Sequence, residues 1–290
     1  VCHSAPAEAA DWIARGELDT HGTWDRPPLI GLLDGQPASW QREVGLRLAN
    51  RRAGRTDDWG SGLLFGIAER LLRRSDTPPP PEPNLVVDWM RDRSSALFRS
   101  AVTVLPPGAD LCTRLRADSF TPVLAPLVFE GPTARWFDHF AHRDEAERWI
   151  PALAALVADG TIDRAPFLAR GFARLTRGGA PGELRTYLGL LTALEPSAAE
   201  LADNRRALLA VLGGDSVVAG YALESLVVLD AVGLLVEGEL AEAWGVVSAR
   251  PEKKLLRALL GWLDRVAAGG RAEVALRAVA GCFGHPDRQV

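Results

Sequence analysis

Residues 250–265 have the sequence RPEKKLLRALLGWLDR, which joins a helix start signal to a helical repeat of apolar side chains. Pro251 suits the first helical position because no N–H is needed there, and Glu252 places a negative charge at the positive end of the helix. The apolar residues recur with the 3.6-residue period and are Leu255, Leu256, Leu259, Leu260, Trp262 and Leu263. A band this wide predicts an amphipathic helix with neighbours on two sides.

The same helical spacing recurs along the chain, whereas the alternation that is typical of strands does not. Helical segments are predicted over residues 144–159, 163–176, 181–194, 197–212, 215–230, 237–249, 251–267 and 270–283. The breaks between them are short, which makes successive helices antiparallel neighbours. Two helices with their turns occupy roughly 35 to 40 residues, near the period of stacked helical hairpins. The sequence therefore predicts an all-α, HEAT-like α-solenoid with an irregular N-terminal third.

A run of prolines between residues 78 and 83 interrupts this pattern, and it favours an extended polyproline conformation. We therefore predict an N-terminal helical segment over residues 1–76, a proline-rich joint over 77–83 and a helical-repeat solenoid over 84–290. Docking of the run to a proline-recognition module is the alternative, which its flanks do not favour. At the other end, Gly284 stops a helix and Pro286 suits the start of another, so we expect further repeats after residue 290.

The composition indicates an ordinary globular protein, with 47% hydrophobic and 24% charged residues. The net charge of −4 gives no general attraction to nucleic acid or anionic membranes. The three cysteines contain no CxxC pair, so we expect neither disulfides nor a zinc site, and a reduced cytoplasm. No apolar run reaches the roughly 20 residues of a membrane helix. Lys253 and Lys254 are the only lysines among 33 basic residues, a bias that is typical of GC-rich genomes.

Four stretches carry a resemblance to a known family. They are residues 2–7 followed by Trp12, residues 118–120 with 126–130, residues 175–185, and residues 250–265 with 284–287. In these stretches the chain resembles the bacterial family catalogued as domain of unknown function six-four-nine-three, whose members look like long helical-repeat proteins. The resemblance implies a HEAT-like scaffold and carries no catalytic assignment. Family members look longer at both ends.

The densest positive group consists of Arg250, Lys253, Lys254 and Arg257, and we identify it as a possible interaction patch. A solvated helix surface explains the same residues, and both interpretations stay open. No catalytic, cofactor-binding or metal-binding residue is predicted. His139 and His142 have the i, i+3 spacing that could present two imidazoles to a metal, but structural histidines are the commoner outcome.

We expect a non-catalytic scaffold that binds a protein partner through a concave groove, as stacked repeats commonly do. The sequence contains no GxSxG or HExxH motif and no phosphate loop. The alternative is a DNA-binding or DNA-repair protein resembling glycosylases for alkylated bases, since nine tryptophans are many for this length. Such an enzyme needs a carboxylate beside an aromatic ring, for which the adjacent pairs are Asp11-Trp12, Asp58-Trp59 and Asp88-Trp89. The acidic balance disfavours this alternative.

Overall fold

The structure is a computed structural model in which residues 5–14, 27–51, 61–94, 109–139 and 148–282 are described. Within these ranges every regular element is a helix and no strand occurs, which confirms the predicted all-α class. Contacts divide the chain into two compact units, Val1–Arg164 (unit 1) and Ala165–Val290 (unit 2). Among the helices of the described part, none is both long enough and apolar enough to cross a membrane.

Unit 1 contains a series of helices that pack on helices next to them or close to them in the sequence. They are α1 (Pro6–Ala14), α2 (Pro27–Asp34), α3 (Ala38–Arg51), α4 (Ser61–Arg74), α5 (Pro83–Ser94), α6 (Leu111–Ala117), α7 (Thr121–Leu124), a 3₁₀ helix (Ala125–Phe129), α8 (Ala134–His139) and α9 (Trp149–Ala158). Helix α3 packs on α1 and α4, and α5 packs on α4, α6 and α7. A Cβ atom at Gly45 of α3 would lie 3.0 Å from Leu72 Cδ2, so the absent side chain permits the close approach of α3 to α4.

The predicted proline-rich joint lies inside unit 1. Residues 77–82 contain no helix, and Pro83 is the first residue of α5. Proline suits that position because its fixed φ fits a helix and the first N–H groups have no partner within it. The helices on the two sides of the joint, α4 and α5, contact each other directly.

Unit 2 is also built of helices. They are α10 (Arg164–Thr176), which begins at the last residue of unit 1, α11 (Pro181–Ala193), α12 (Ala198–Asp203), α13 (Arg205–Val211), α14 (Ser216–Ala231), α15 (Glu237–Ser248), α16 (Lys253–Val266) and α17 (Ala272–Cys282). Helix α13 contacts α14 and α15, α14 contacts α16, and α15 contacts α16 and α17. Helices α13 and α15 therefore each pack both on the next helix and on the next but one.

Three predicted helix boundaries were wrong. Helix α16 begins at Lys253, because Glu252 is extended and its carboxylate accepts hydrogen bonds from the Arg250 guanidinium. The helix predicted over residues 197–212 is broken at Asn204, whose side-chain amide donates to the Glu200 carbonyl oxygen at 2.8 Å. The helix predicted from residue 144 begins at Trp149, since residue 148 is extended. Residues 140–147 lie outside the described ranges.

Candidate functional site

Arg250, the first residue of the predicted interaction patch, is 9% exposed. Its Nη1 donates to the carbonyl oxygen of Leu212 at 2.5 Å and to that of Gly214 at 2.9 Å. These carbonyls follow α13, so the guanidinium ties the end of α13 to the turn before α16. Arg250 therefore has a structural role in this turn and does not present its charge to solvent.

The other three residues of the predicted patch lie together on α16 and are exposed. They are Lys253, Lys254 and Arg257, and Arg265 lies on the exposed side of the same helix. Lys254, Arg257 and Arg265 make no hydrogen bond or ion pair with any residue that the structure describes. The outer side of α16 thus carries free positive charge, while Leu255, Leu259 and Trp262 are buried on the other side.

Helix α14 has an exposed apolar face, which the sequence analysis did not identify. Val217, Val228 and Val232 are 40%, 46% and 56% exposed, and Tyr221 and Glu224 occupy the same side. These five residues follow helical spacing, and we call them the α14 row. The opposite side is buried, so α14 is apolar around most of its circumference. Helices of that kind are ordinarily covered on all sides.

The apolar surface continues past the end of α14. Gly233 adopts a left-handed φ of 73°, and the N–H of Leu234 donates to the Leu229 carbonyl oxygen at 2.8 Å. This Schellman turn ends the helix and leaves the side chain of Leu234 exposed, as is that of Val236. The turn thereby adds two exposed apolar side chains at the C-terminal end of the row.

Two contacts place α16 beside α14. A Cβ atom at Gly220 would lie 3.8 Å from Leu255 Cδ2, and Nε1 of Trp262 donates to Asp230 Oδ2 at 2.8 Å. Both helices advance in the same direction between these contacts, so they are parallel. In this register Arg257 is level with the middle of the α14 row. The axes of packed helices are separated by about 8–10 Å, so the helix that carries the free cations lies beside the helix that carries the apolar face.

Unit 1 contains a buried ionic cluster in which the pKa values of Asp118 and Arg93 are strongly shifted. Arg93, 1% exposed in its side chain, donates to Glu69, to Asp92 and, through Nε at 2.8 Å, to Asp118. Arg73, at the edge of the cluster, pairs with Glu69 at 2.8 Å and with Asp118. These side chains join α4, α5 and the turn after α6. Sequence analysis did not find the cluster, because its members come from three separate segments of the chain.

The cluster holds Asp118 and Arg93 in their charged forms. Burial is the largest influence on Asp118 and would raise its pKa, but Arg93, Arg73 and hydrogen bonds from Trp89 Nε1 and the Phe120 N–H lower that pKa to about 2. Burial likewise opposes the charge of Arg93, and the surrounding carboxylates nevertheless raise its pKa above the ordinary value. A carboxylate this acidic accepts protons poorly at neutral pH. Asp118 is therefore suited to holding α4, α5 and the turn after α6 together.

We expect the stability of unit 1 to fall at acid pH because of Asp118. Its folded pKa of about 2 lies below the ordinary 3.8, so its contribution is present above pH 3.8 and is lost as pH falls toward 2. The difference corresponds to about 2 kcal/mol. Urea midpoints of wild type and Asp118→Asn, measured between pH 7 and pH 3, should converge as pH falls. Equal slopes in the two proteins would show that another group is responsible.

Of the other sequence candidates, Asp11 and Trp12 are half-buried in α1, and the rest are buried or lie wholly or partly outside the described residues. Asp88 and Trp89, one of the pairs on which the DNA-repair alternative depends, are both buried, and Trp89 stacks edge to face on Trp149 at 5.2 Å. Asp58 and Trp59 lie outside the described ranges, as does His142. Among the described residues, no group of three metal-ligating side chains occurs.

The described residues define an all-helical protein with an exposed apolar helix face beside free cations. Comparison with protein-family models, with curated proteins and with solved structures finds no match.

Proposed function

We propose that this protein is a non-catalytic helical-repeat scaffold that binds a protein partner. The observation that carries the proposal is the α14 row, because an apolar helix face left open to water is typical of protein interaction sites. Tyr221 and the valines supply apolar contact area, and burying such area is the main favourable term in protein association.

The packing in unit 2 supports a HEAT-like solenoid as the architecture of this scaffold. In stacked helical hairpins each helix contacts its hairpin partner and the equivalent helix of the next unit. The pairs α13–α14 and α15–α16 match the first kind of contact, and α13–α15 and α14–α16 match the second. The family resemblance and the concave groove stay predictions of the sequence analysis.

Capture and direct binding test the scaffold proposal. The purified chain is immobilised as bait, and each captured protein is then produced alone and titrated against the chain by calorimetry. We expect at least one direct complex with a Kd below about 10 μM, within the range of transient protein complexes. The absence of any direct protein complex would contradict the proposal.

A DNA column separates the scaffold from the DNA-repair alternative. At about 0.1 M salt a scaffold with this acidic balance should pass through, since DNA affinity depends on neutralising phosphates with cations. Retention that falls as salt rises, together with removal of an alkylated base, would favour the DNA-repair protein instead.

A further inference from the structure

We propose that the α14 row and the free cations of α16 form one docking surface for an amphipathic helix with an acidic edge. The inference rests on the proposed scaffold function and adds the site and the chemistry of the partner. The partner's apolar face covers the α14 row, its acidic edge faces α16, and a lysine or arginine near its centre pairs with Glu224.

The length and shape of the α14 row fit a helix. Val217 and Val232 are separated by about 22 Å along the axis of α14, the length of a partner helix of about four turns. The exposed side chains between them are medium-sized, and the half-buried Gly220 lies next to them on the α16 side. A row of this kind offers a shallow surface to the i, i+4, i+7 side chains of an amphipathic helix.

Charge decides which amphipathic helix fits. Lys254, Arg257 and Arg265 are exposed and free of described partners, and Asp264 is the one exposed acid on α16. An acidic edge on the partner complements this side, whereas a basic edge is repelled. Complementary charge thus sets the orientation of the partner across the two helices.

Glu224 places a second chemical requirement on the partner helix. It is exposed in the middle of the α14 row and makes no hydrogen bond or ion pair with any described residue. Apolar side chains placed over this carboxylate would remove it from water without a counterion, which costs free energy. A central basic side chain on the partner satisfies Glu224 and fixes the register of docking.

An anionic membrane also carries negative charge that would attract the cations of α16, but the α14 row suits a membrane poorly. Membrane-surface helices insert tryptophan, phenylalanine and leucine side chains. The exposed apolar residues of α14 itself are valines, and its one aromatic side chain, Tyr221, is half-buried. The observations therefore favour a protein helix.

A displayed helix library tests the proposal with the full chain as target. Each member is a helix of about 18 residues, with a fixed apolar face and with randomised edge and centre positions. We expect the selected helices to carry aspartate or glutamate along one edge and lysine or arginine at the centre. The best helix is then synthesised, and its Kd is measured by fluorescence anisotropy.

Variants of α14 and α16, with matched control variants in unit 1, test where the selected helix binds. Val217→Glu and Val228→Gln should each weaken the selected helix about tenfold, as should Lys254→Glu combined with Arg257→Glu. Val217→Glu should fold, because an acidic residue is favourable in the first turn of a helix. Leu32→Gln and Arg42→Glu, exposed positions in unit 1, make the same kinds of change and should leave the Kd unchanged.

Several results would overturn the docking surface. They are failure to select any helix, selected edges without an excess of acids, an unchanged Kd in the α14 and α16 variants, or preferential binding to vesicles of phosphatidylserine and phosphatidylcholine. A partner found by capture that binds those variants like wild type would reject this surface and leave the scaffold function standing. Absence of any direct protein partner would instead reject the scaffold function.

Discussion

Arg93→Ala is expected to lower the free energy of unfolding of unit 1 by about 3–5 kcal/mol, the usual cost of leaving a buried charge without its partner. The side chain of Arg93 is 1% exposed and neutralises the buried carboxylates of Glu69, Asp92 and Asp118. Its removal leaves three acids in a site from which water is excluded. Arg73 still pairs with two of them, but it lies at the edge of the cluster and cannot replace the central charge.

Hydrogen exchange followed by mass spectrometry measures this effect locally. We expect amide exchange in α4, α5 and α6 to accelerate by roughly a hundredfold or more, since each 1.4 kcal/mol corresponds to tenfold in the opening equilibrium. Arg116→Ala is the matched control, because Arg116 pairs with Asp159 at 2.5 Å but both side chains are substantially exposed. Exposed pairs contribute at most about 1 kcal/mol. Similar acceleration in both variants would contradict a special role for burial.

The sequence predicted the all-helical class well, and for a physical reason. Apolar residues at helical spacing, as in residues 253–266, need burial on one side, and the structure buries Leu255, Leu259 and Trp262 as expected. Helix ends were predicted less well, because they depend on local bonds that spacing does not reveal. The bond between Arg250 and Glu252 is one example, and the break at Asn204 is another.

The candidate surface could be predicted from the sequence only in part. Arg250 belongs to the charge-dense stretch, but its side chain reaches back to carbonyl oxygens more than 35 residues away, and spacing cannot show such a contact. The α14 row did leave a signal, since Glu224 and Asp230 are the only charged residues in α14. That signal predicts a helix covered on all sides. Only the structure shows that one side is open.

Trp262→Ala is expected to destabilise unit 2 by about 3–5 kcal/mol, the range for removing a buried tryptophan from a packed core. The ring is 1% exposed and lies edge to face against Trp244, with ring centres 5.7 Å apart. Its Nε1 also donates to the buried carboxylate of Asp230, which connects α16 to α14. The substitution therefore removes core volume and a hydrogen bond between two helices.

Trp262→Phe separates these two contributions. It keeps an aromatic ring and loses the indole N–H, and Asp230 retains its ion pair with Arg271 at 2.8 Å. Losing one buried hydrogen bond costs about 1–3 kcal/mol, so the phenylalanine variant should lie between wild type and alanine. The measurement is the Tm of unit 2, which we expect Trp262→Ala to lower by roughly 10 to 20 °C. An unchanged Tm in Trp262→Ala would show that the ring is not packed between helices. Equal losses in both variants would assign the stabilisation to the bond with Asp230.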